Sequence, residues 1–329
     1  MKIAILGAGA WGTALAVHFC ALHEVTLWAR DPDQVAAMAA QGRNRRYLPE
    51  IELPPSLLLS GHLDATAAWA DAIVVSTPSG AFRGLLETIA PLIPDTPIIW
   101  ACKGFEAGSM KLPHQVAAES LLESTPRGVL SGPSFAREVA AGLPTALTLA
   151  SGDAAILALA AQLHNHHLRV YTSTDVIGVE LGGALKNVIA IAAGISDGLH
   201  FGHNARAALI SRSLAEMIRL GQCLGGEAET FMGLTGMGDL ILTATSDLSR
   251  NRQVGLKLAA GMKLATILQE LGHIAEGVTT AREIDKLARE KGVDMPVVHA
   301  VYQILYQDTA PEIAVQTLLS REPKAEQTR

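Results

Sequence analysis

The chain opens on a strand-like run, Ile3–Leu6, and passes at once into Gly7-Ala8-Gly9-Ala10-Trp11-Gly12, which leads an alanine-rich helical pattern. No other stretch constrains the fold as strongly. In a strand–turn–helix setting each glycine of G-x-G-x-x-G has its own reason. Gly7 permits the tight turn, Gly9 lets backbone approach a pyrophosphate, and Gly12 lets helix and strand pack closely. The helix start then turns N–H groups and a positive dipole end towards phosphate oxygens. A plain glycine-rich turn is the competing reading, and the context disfavours it.

The same rhythm continues. Strand-like runs follow at Val25–Trp28, Ala72–Thr77, Ile98–Ala101, Gly128–Leu130, Ala146–Ala150 and Leu168–Tyr171. Helical patterns fall near 12–22, 32–41, 81–90, 112–122 and 153–163. The alternation predicts an α/β fold, with a parallel sheet, right-handed crossovers and helices on both faces. From about residue 177 the strand signals stop and helical patterns succeed one another to 319. We therefore expect a dinucleotide-binding Rossmann-type domain over 1–176 and an all-α substrate-binding and catalytic domain over 177–329.

Composition narrows the function. In 329 residues, 49% hydrophobic and 18% charged, there is material for about two packed domains. A net charge of −6 leaves no electrostatic footprint for nucleic acid, and no lysine run marks a membrane surface. Cys20, Cys102 and Cys223 are odd in number and far apart, which suits neither a disulfide framework nor a zinc ribbon. Met1-Lys2 before Ile3–Leu6 superficially resembles a leader, but the glycines break the apolar stretch, so a cytoplasmic protein is expected. His164, His166 and His167 fit no metal spacing, and no metal is expected.

The residues at strand ends carry the chemistry. Arg30 follows the second strand, where an acid would bind a ribose 2′-OH and an arginine suits a 2′-phosphate. With Asp31 beside it, the expectation is NADP(H) favoured and NAD(H) accepted. Arg43, Arg45 and Arg46 read better as a solvated loop than as a phosphate clamp. Further strand ends run into Pro78-Ser79, into Cys102-Lys103-Gly104 and into Ser131-Gly132-Pro133-Ser134-Phe135. In an open α/β sheet such loops line the ligand crevice, where Lys103 presents a cation.

In the second half, Gly178–Asn204 is apolar on most helical faces, and Lys186 is the only ionisable side chain between Glu180 and Asp197. A buried ammonium is costly unless it is paired or has proton-transfer work. On this stretch alone, a lysine snorkelling to the surface fits as well. The run reads as too short, too glycine-rich and too interrupted by its lysine to span a bilayer, so no stable membrane insertion is expected. Gly236-Met237-Gly238-Asp239 offers a carboxylate that either caps a turn or partners Lys186. Ser249-Arg250-Asn251-Arg252 reads as a capped helix start whose arginine and asparagine suit a phosphate.

Taken in order, GAGAWG, CKG, SGPSFA, VELGGALKNVIAIAAGISDG, NARAALI, TGMGDLILT and SRNR resemble the bacterial NAD(P)-dependent glycerol-3-phosphate dehydrogenases over nearly the whole chain. The resemblance implies reversible reduction of dihydroxyacetone phosphate to sn-glycerol 3-phosphate for glycerophospholipid synthesis. It also implies that Lys186 is the general acid/base and that Lys103 is the second lysine at substrate and cofactor. Substrate-binding positions fall on Gly132, Ser134, Asp239, Ser249, Arg250 and Asn251. Cofactor positions fall on Ala10, Trp11, Arg30, Ala136, Glu276, Arg250 and Ile274. Ala10 and Ile274 are the small departures from the family pattern.

Two rival readings remain. One is another two-domain hydroxyacid dehydrogenase, acting on a β-hydroxyacid or 6-phosphogluconate. The other is a nucleotide-sensing protein that has lost catalysis, which the presence of both Lys186 and Asp239 disfavours. Apolar helical surface in the second domain suits a homodimer.

Overall fold

The computed structural model describes residues 1–271 and 275–322. Its strands are β1 (Lys2–Leu6), β2 (Glu24–Trp28), β3 (Arg43–Asn44), β4 (Leu48–Glu52), β5 (Leu58–Ser60), β6 (Ala72–Val75), β7 (Ile98–Trp100), β8 (Arg127–Ser131), β9 (Thr145–Ala150) and β10 (Leu168–Ser173). Between them lie α1 (Ala10–Phe19), α2 (Pro32–Gln41), α3 (Leu63–Trp69), α4 (Ser79–Ile89), α5 (Pro113–Ser120), α6 (Ala136–Ala140) and α7 (Ala154–Leu163). Helices alone follow. They are α8 (Val176–Gly198), α9 (Gly202–Cys223), α10 (Ala228–Met232), α11 (Asp239–Thr245), α12 (Arg250–Ala259), α13 (Leu264–Leu271), α14 (Glu276–Lys291), α15 (Pro296–Tyr306) and α16 (Pro311–Leu319).

The expected α/β class holds. The main sheet runs β10-β9-β8-β7-β6-β1-β2-β5, with β3 and β4 forming a separate ribbon. Strands β5, β2, β1, β6, β7 and β8 are parallel. One feature departs from the expected all-parallel sheet. Strand β9 runs antiparallel to β8, with Val129 opposite Ala150, and β10 follows β9 in parallel. A parallel neighbour needs a full crossover, usually a helix, whereas α6 between β8 and β9 is only five residues long. The chain therefore turns back. The β3–β4 ribbon carries too little apolar patterning to be read from sequence, and β5 is only three residues long.

Alternation along the strands feeds two cores, and because both faces are covered the strands read as continuous apolar runs. Ile3, Ile5, Val25 and Leu27 pack with Leu15 and Phe19 of α1 and Ile156 and Leu163 of α7. Ala4, Leu6, Ile73, Val75, Ile98 and Trp100 pack on the other side with Phe82 and Leu86 of α4 and Val116 of α5.

The chain divides into two units. One is Met1–Gly183 with Leu224–Asp239, and the other is Ala184–Cys223 with the residues from Leu240 onward. The division thus falls inside α8, seven residues beyond the expected 176/177 boundary, and the 224–239 segment returns to the first unit. The first turns of α8 explain the shift. Val179 is buried in the second sheet core. Glu180, fully buried, accepts from Trp100 Nε1 at 2.7 Å and from the His114 N–H at 2.9 Å, and the His114 ring donates from Nδ1 at 2.6 Å. Burial raises the Glu180 carboxyl above its usual range, against the pull of the His114 and Trp100 donors.

In the helical unit, Leu185, Val188, Ile189 and Ile191 of α8 are completely buried. At 23 residues, with a mean hydropathy of 1.6 over an 18-residue window, α8 is long and apolar enough to cross a bilayer, contrary to the expectation of too short a run. The same window is 89% buried inside the protein, as a core helix is. Helix α12 crosses α8 at glycines. A Cβ at Gly194 would lie 2.1 Å from the Arg252 carbonyl oxygen, and one at Gly255 would lie 2.1 Å from that of Ile191. That closeness sets the start of α12 directly against α8.

A second buried carboxylate organises the far end of this unit. Glu216 of α9 accepts from the N–H groups of Val297 (2.9 Å) and Val298 (3.3 Å), capping α15 just after Pro296, which has no N–H to offer. Burial pushes its carboxyl up to about 7, partly offset by these two donors. A carboxyl raised in the fold contributes its stability below its unfolded value of 4.5 and loses it as pH rises through 7. Wild-type protein should therefore lose stability against Glu216→Gln between about pH 5 and 8, by about 1–3 kcal/mol. Urea titrations of both proteins at the two pH values measure the difference, and a constant difference refutes the burial account.

Candidate active site

The glycine loop is built as its spacing requires. Gly7 has φ +120°, and a Cβ there would lie 2.9 Å from Ser76 backbone, while one at Gly12 would lie 1.9 Å from the Gly7 carbonyl oxygen. At Gly9 a Cβ would meet nothing within 4 Å, so the loop is open on that side. Gly9 is the N-cap of α1 and no side chain caps that helix, which leaves its first N–H groups for a ligand. Residues not singled out from sequence brace the loop. Gln34 Nε2 donates to the Ala8 carbonyl at 2.8 Å, and Asn44 Nδ2 donates to Ala8 (3.0 Å) and to Thr13 Oγ1 (2.8 Å).

Buried polar atoms without a protein partner gather at the carboxyl ends of the strands: Trp28 Nε1, Thr77 Oγ1 and Ser131 Oγ. Arg30 is exposed just past β2, while the neighbouring Asp31 carboxylate accepts from the Asp33 N–H at 3.0 Å and caps α2. Ala136 opens α6 and shares a small apolar cluster with Trp11 and Val139. The structure thus brings together Gly7, Gly9, Ala10, Trp11, Gly12 and Ala136, and a dinucleotide fits this cradle. Arg43, by contrast, pairs with Glu52, in keeping with the solvated-loop reading.

Lys103 extends from the loop after β7. Its Nζ forms an ion pair with Asp239 Oδ2 at 2.7 Å and reaches the Gly132 carbonyl at 3.5 Å. Asp239 is buried to 1% side-chain exposure and Lys103 to 16%. Ser134 Oγ donates back to the same Gly132 oxygen at 3.1 Å. Sequence reasoning paired Asp239 with Lys186, and the structure adds Lys103 as an ion-pair partner 136 positions away. The Leu234–Gly238 segment before Asp239 forms a single π turn, a distortion common at functional sites.

In the helical unit Lys186 is only 8% exposed, so it does not snorkel. Its Nζ donates to Thr243 Oγ1 at 3.1 Å. Thr243 was not anticipated, although its place four residues after Asp239 on α11 puts both on one helix face. Asn187, also missed, donates from Nδ2 to Glu276 Oε2 at 3.0 Å and accepts at Oδ1 from Asn251 Nδ2 at 3.0 Å. Ser249 Oγ caps α12 by accepting from the Arg252 N–H at 3.2 Å. Arg252, expected on a solvated or phosphate-holding turn, is buried and bonded to Asp197 and Asp247. Arg250 is exposed and makes no ion pair among the described residues. Ile274 lies outside the described residues. Among those residues no histidine, cysteine or carboxylate cluster is arranged to hold a metal. The His203 ring nitrogen bonds Arg206 at 2.9 Å, and His200 sits at φ +59° in the turn between α8 and α9.

Known proteins resemble this chain over nearly its whole length. The family description "NAD-dependent glycerol-3-phosphate dehydrogenase N-terminus" matches residues 2–157, and its C-terminus counterpart matches residues 175–316. A glycerol-3-phosphate dehydrogenase (NAD(P)+) of Thiobacillus denitrificans is 57% identical, covering 99% of this chain and 100% of its own. Its namesake from Nitrosomonas europaea is also 57% identical, covering 99% of each. The crystal structure of glycerol-3-phosphate dehydrogenase from Coxiella burnetii superposes with a TM-score of 0.93 at 45% identity, covering 97% of this chain and 99% of its own. This chain belongs to the NAD-dependent glycerol-3-phosphate dehydrogenase family.

Proposed function

We propose that the chain interconverts dihydroxyacetone phosphate and sn-glycerol 3-phosphate, supplying glycerophospholipid synthesis, with Lys186 as general acid/base. One observation carries this reading. A buried ammonium stands on the helix that also fixes, through Asn187 and Asn251, a helix start presenting an arginine that makes no ion pair among the described residues. A carbonyl compound with a phosphate at its far end matches that pairing. The Rossmann-type unit serves the dinucleotide and the helical unit the substrate.

The bound dinucleotide supplies hydride at its nicotinamide C4. As charge develops on the carbonyl oxygen, the Lys186 ammonium gives it a proton, and in oxidation the neutral amine takes the hydroxyl proton. Thr243 accepts from Nζ and orients it. Lys103, held by Asp239, brings a second cation to polarise the substrate. Arg250, Asn251 and the first N–H groups of α12 clamp the phosphate, so binding energy remote from the reacting carbon positions the carbonyl. Gly132, Ser134 and Ser249 shape the loops around the substrate. Ala10, Trp11, Ala136 and Glu276 belong with the cofactor.

NADP(H) is preferred on this reading, because Arg30 is exposed while Asp31 is engaged in capping α2. Arg30→Ala should lower the ratio of kcat/KM for NADPH over NADH by about 10- to 100-fold, the worth of a charge-assisted contact. An unchanged ratio removes Arg30 as the selector. The three free cysteines suit the cytoplasm. A homodimer is supported by Phe201 and Leu319, 44% and 79% exposed beside a mainly apolar cavity of about 1040 Å³ among α9, α15 and α16. Light scattering at the monomer mass removes it.

Turnover on dihydroxyacetone phosphate, set against the oxidation of a β-hydroxyacid and of 6-phosphogluconate, tests the substrate. Comparable rates on either rival overturn the assignment.

A further inference from the structure

Three helices of the helical unit meet in one closed polar ring. Asn187 on α8 donates to Glu276 on α14, Asn251 on α12 donates to Asn187, and the Gly277 N–H of α14 donates to Asn251 Oδ1 at 3.0 Å. Asn187 and Asn251 are buried, at 4% and 8% exposure. The ring has a single direction. A backbone N–H only donates, so Asn251 must present its oxygen to Gly277 and its NH₂ to Asn187. Asn187 must then accept with its oxygen and spend its NH₂ on the carboxylate of Glu276, which only accepts. Reversing either amide sets donor against donor and acceptor against acceptor. No side chain fits at the closing position, since a Cβ on Gly277 would lie 2.5 Å from the Asn187 carbonyl oxygen and 2.8 Å from Asn251 Oδ1.

We infer that Asn187 is a positioning residue that couples the two ligands: through this ring, the placing of Glu276 by the dinucleotide sets Asn251 and the phosphate-holding start of α12. The inference rests on the proposed reading, in which Glu276 touches the cofactor and Asn251 the substrate phosphate. A ring of oriented amides has few intermediate settings, so an adjustment of Glu276 passes to Asn251 as a shift of the whole chain of bonds. Coupling of this kind is reciprocal, so substrate phosphate should also favour the dinucleotide.

The test uses charge and donor inversion. Asn187→Asp sets a carboxylate against Glu276 while still accepting from Asn251. Glu276→Gln alone keeps an oxygen for Asn187. The double variant restores a donor–acceptor pair in the opposite sense, from the glutamine NH₂ to the aspartate. The probe is the dissociation constant of sn-glycerol 3-phosphate at about pH 8, where aspartate is ionised, measured without and with saturating NADPH. Wild type should show at least about a fivefold effect of NADPH, Asn187→Asp close to none, and the double variant an effect as large as that of Glu276→Gln alone. Full coupling in Asn187→Asp, no coupling in wild type, or a double variant no better than Asn187→Asp overturns the inference. Thermal midpoints of the same four proteins separate this failure from that of the function. If wild type binds neither ligand, the catalytic reading falls, and rescue of the Asn187→Asp midpoint by Glu276→Gln still decides the ring's direction.

Discussion

Lys186→Ala is expected to lose about 10²- to 10⁴-fold in kcat, the usual worth of a positioned acid or base, while NADPH affinity stays near wild type. The geometry separates the two effects, because the glycine cradle is built from residues of the first strand and helix, whereas Lys186 sits deep in α8. Lys186→Met sharpens the point. It keeps the length of the side chain and removes a charge that is only 8% exposed, so the thermal midpoint should hold or rise as activity disappears. A residue retained for packing would show the reverse, with activity kept and stability lost. Steady-state kinetics with calorimetry on both variants decides, and turnover within a few-fold of wild type removes Lys186 from the chemistry.

Asp239→Ala should be costly twice over. The variant strips the carboxylate from an ammonium that is 16% exposed and bonded at 2.7 Å. Breaking one side of such a pair costs about 3–5 kcal/mol, because the remaining charge stays largely desolvated. For a protein of 329 residues that corresponds to a fall of about 4–7 °C in the thermal midpoint. Activity should fall as well, since Lys103 loses its anchor. The double variant Lys103→Met/Asp239→Leu removes both charges and should recover much of the stability with none of the turnover. If the single variant melts like wild type, the pair contributes nothing to the fold.

The sequence was most legible where local rules act alone. Gly7 and Gly12 announced the turn because each meets a steric need within a dozen residues, while Gly9 leaves the loop open. The alternation of β1–α1–β2 read cleanly because both sheet faces are apolar. The reversal at β9 did not read, because direction depends on whether α6 can complete a crossover, and sequence reasoning did not register its short helical pattern. Lys186 was visible as a lone charge in an apolar helix, whereas Thr243 and Asn187 were hidden by common residue types with no signal beyond spacing. The Lys103–Asp239 ion pair was hidden for another reason. Nothing local links positions 136 residues apart, and the lysine standing in an apolar helix, Lys186, drew the expectation for Asp239 instead. Arg252 misled in the opposite direction, since an arginine in a polar run gives no sign that Asp197 will bury it.

Loss of NADPH absorbance on adding dihydroxyacetone phosphate to the purified protein, with NADH in parallel, tests the central claim most directly. The account predicts rapid oxidation, faster with NADPH than with NADH, and none in Lys186→Ala. Intact NADPH binding without oxidation would contradict it, leaving the dinucleotide cradle in place and the substrate assignment wrong.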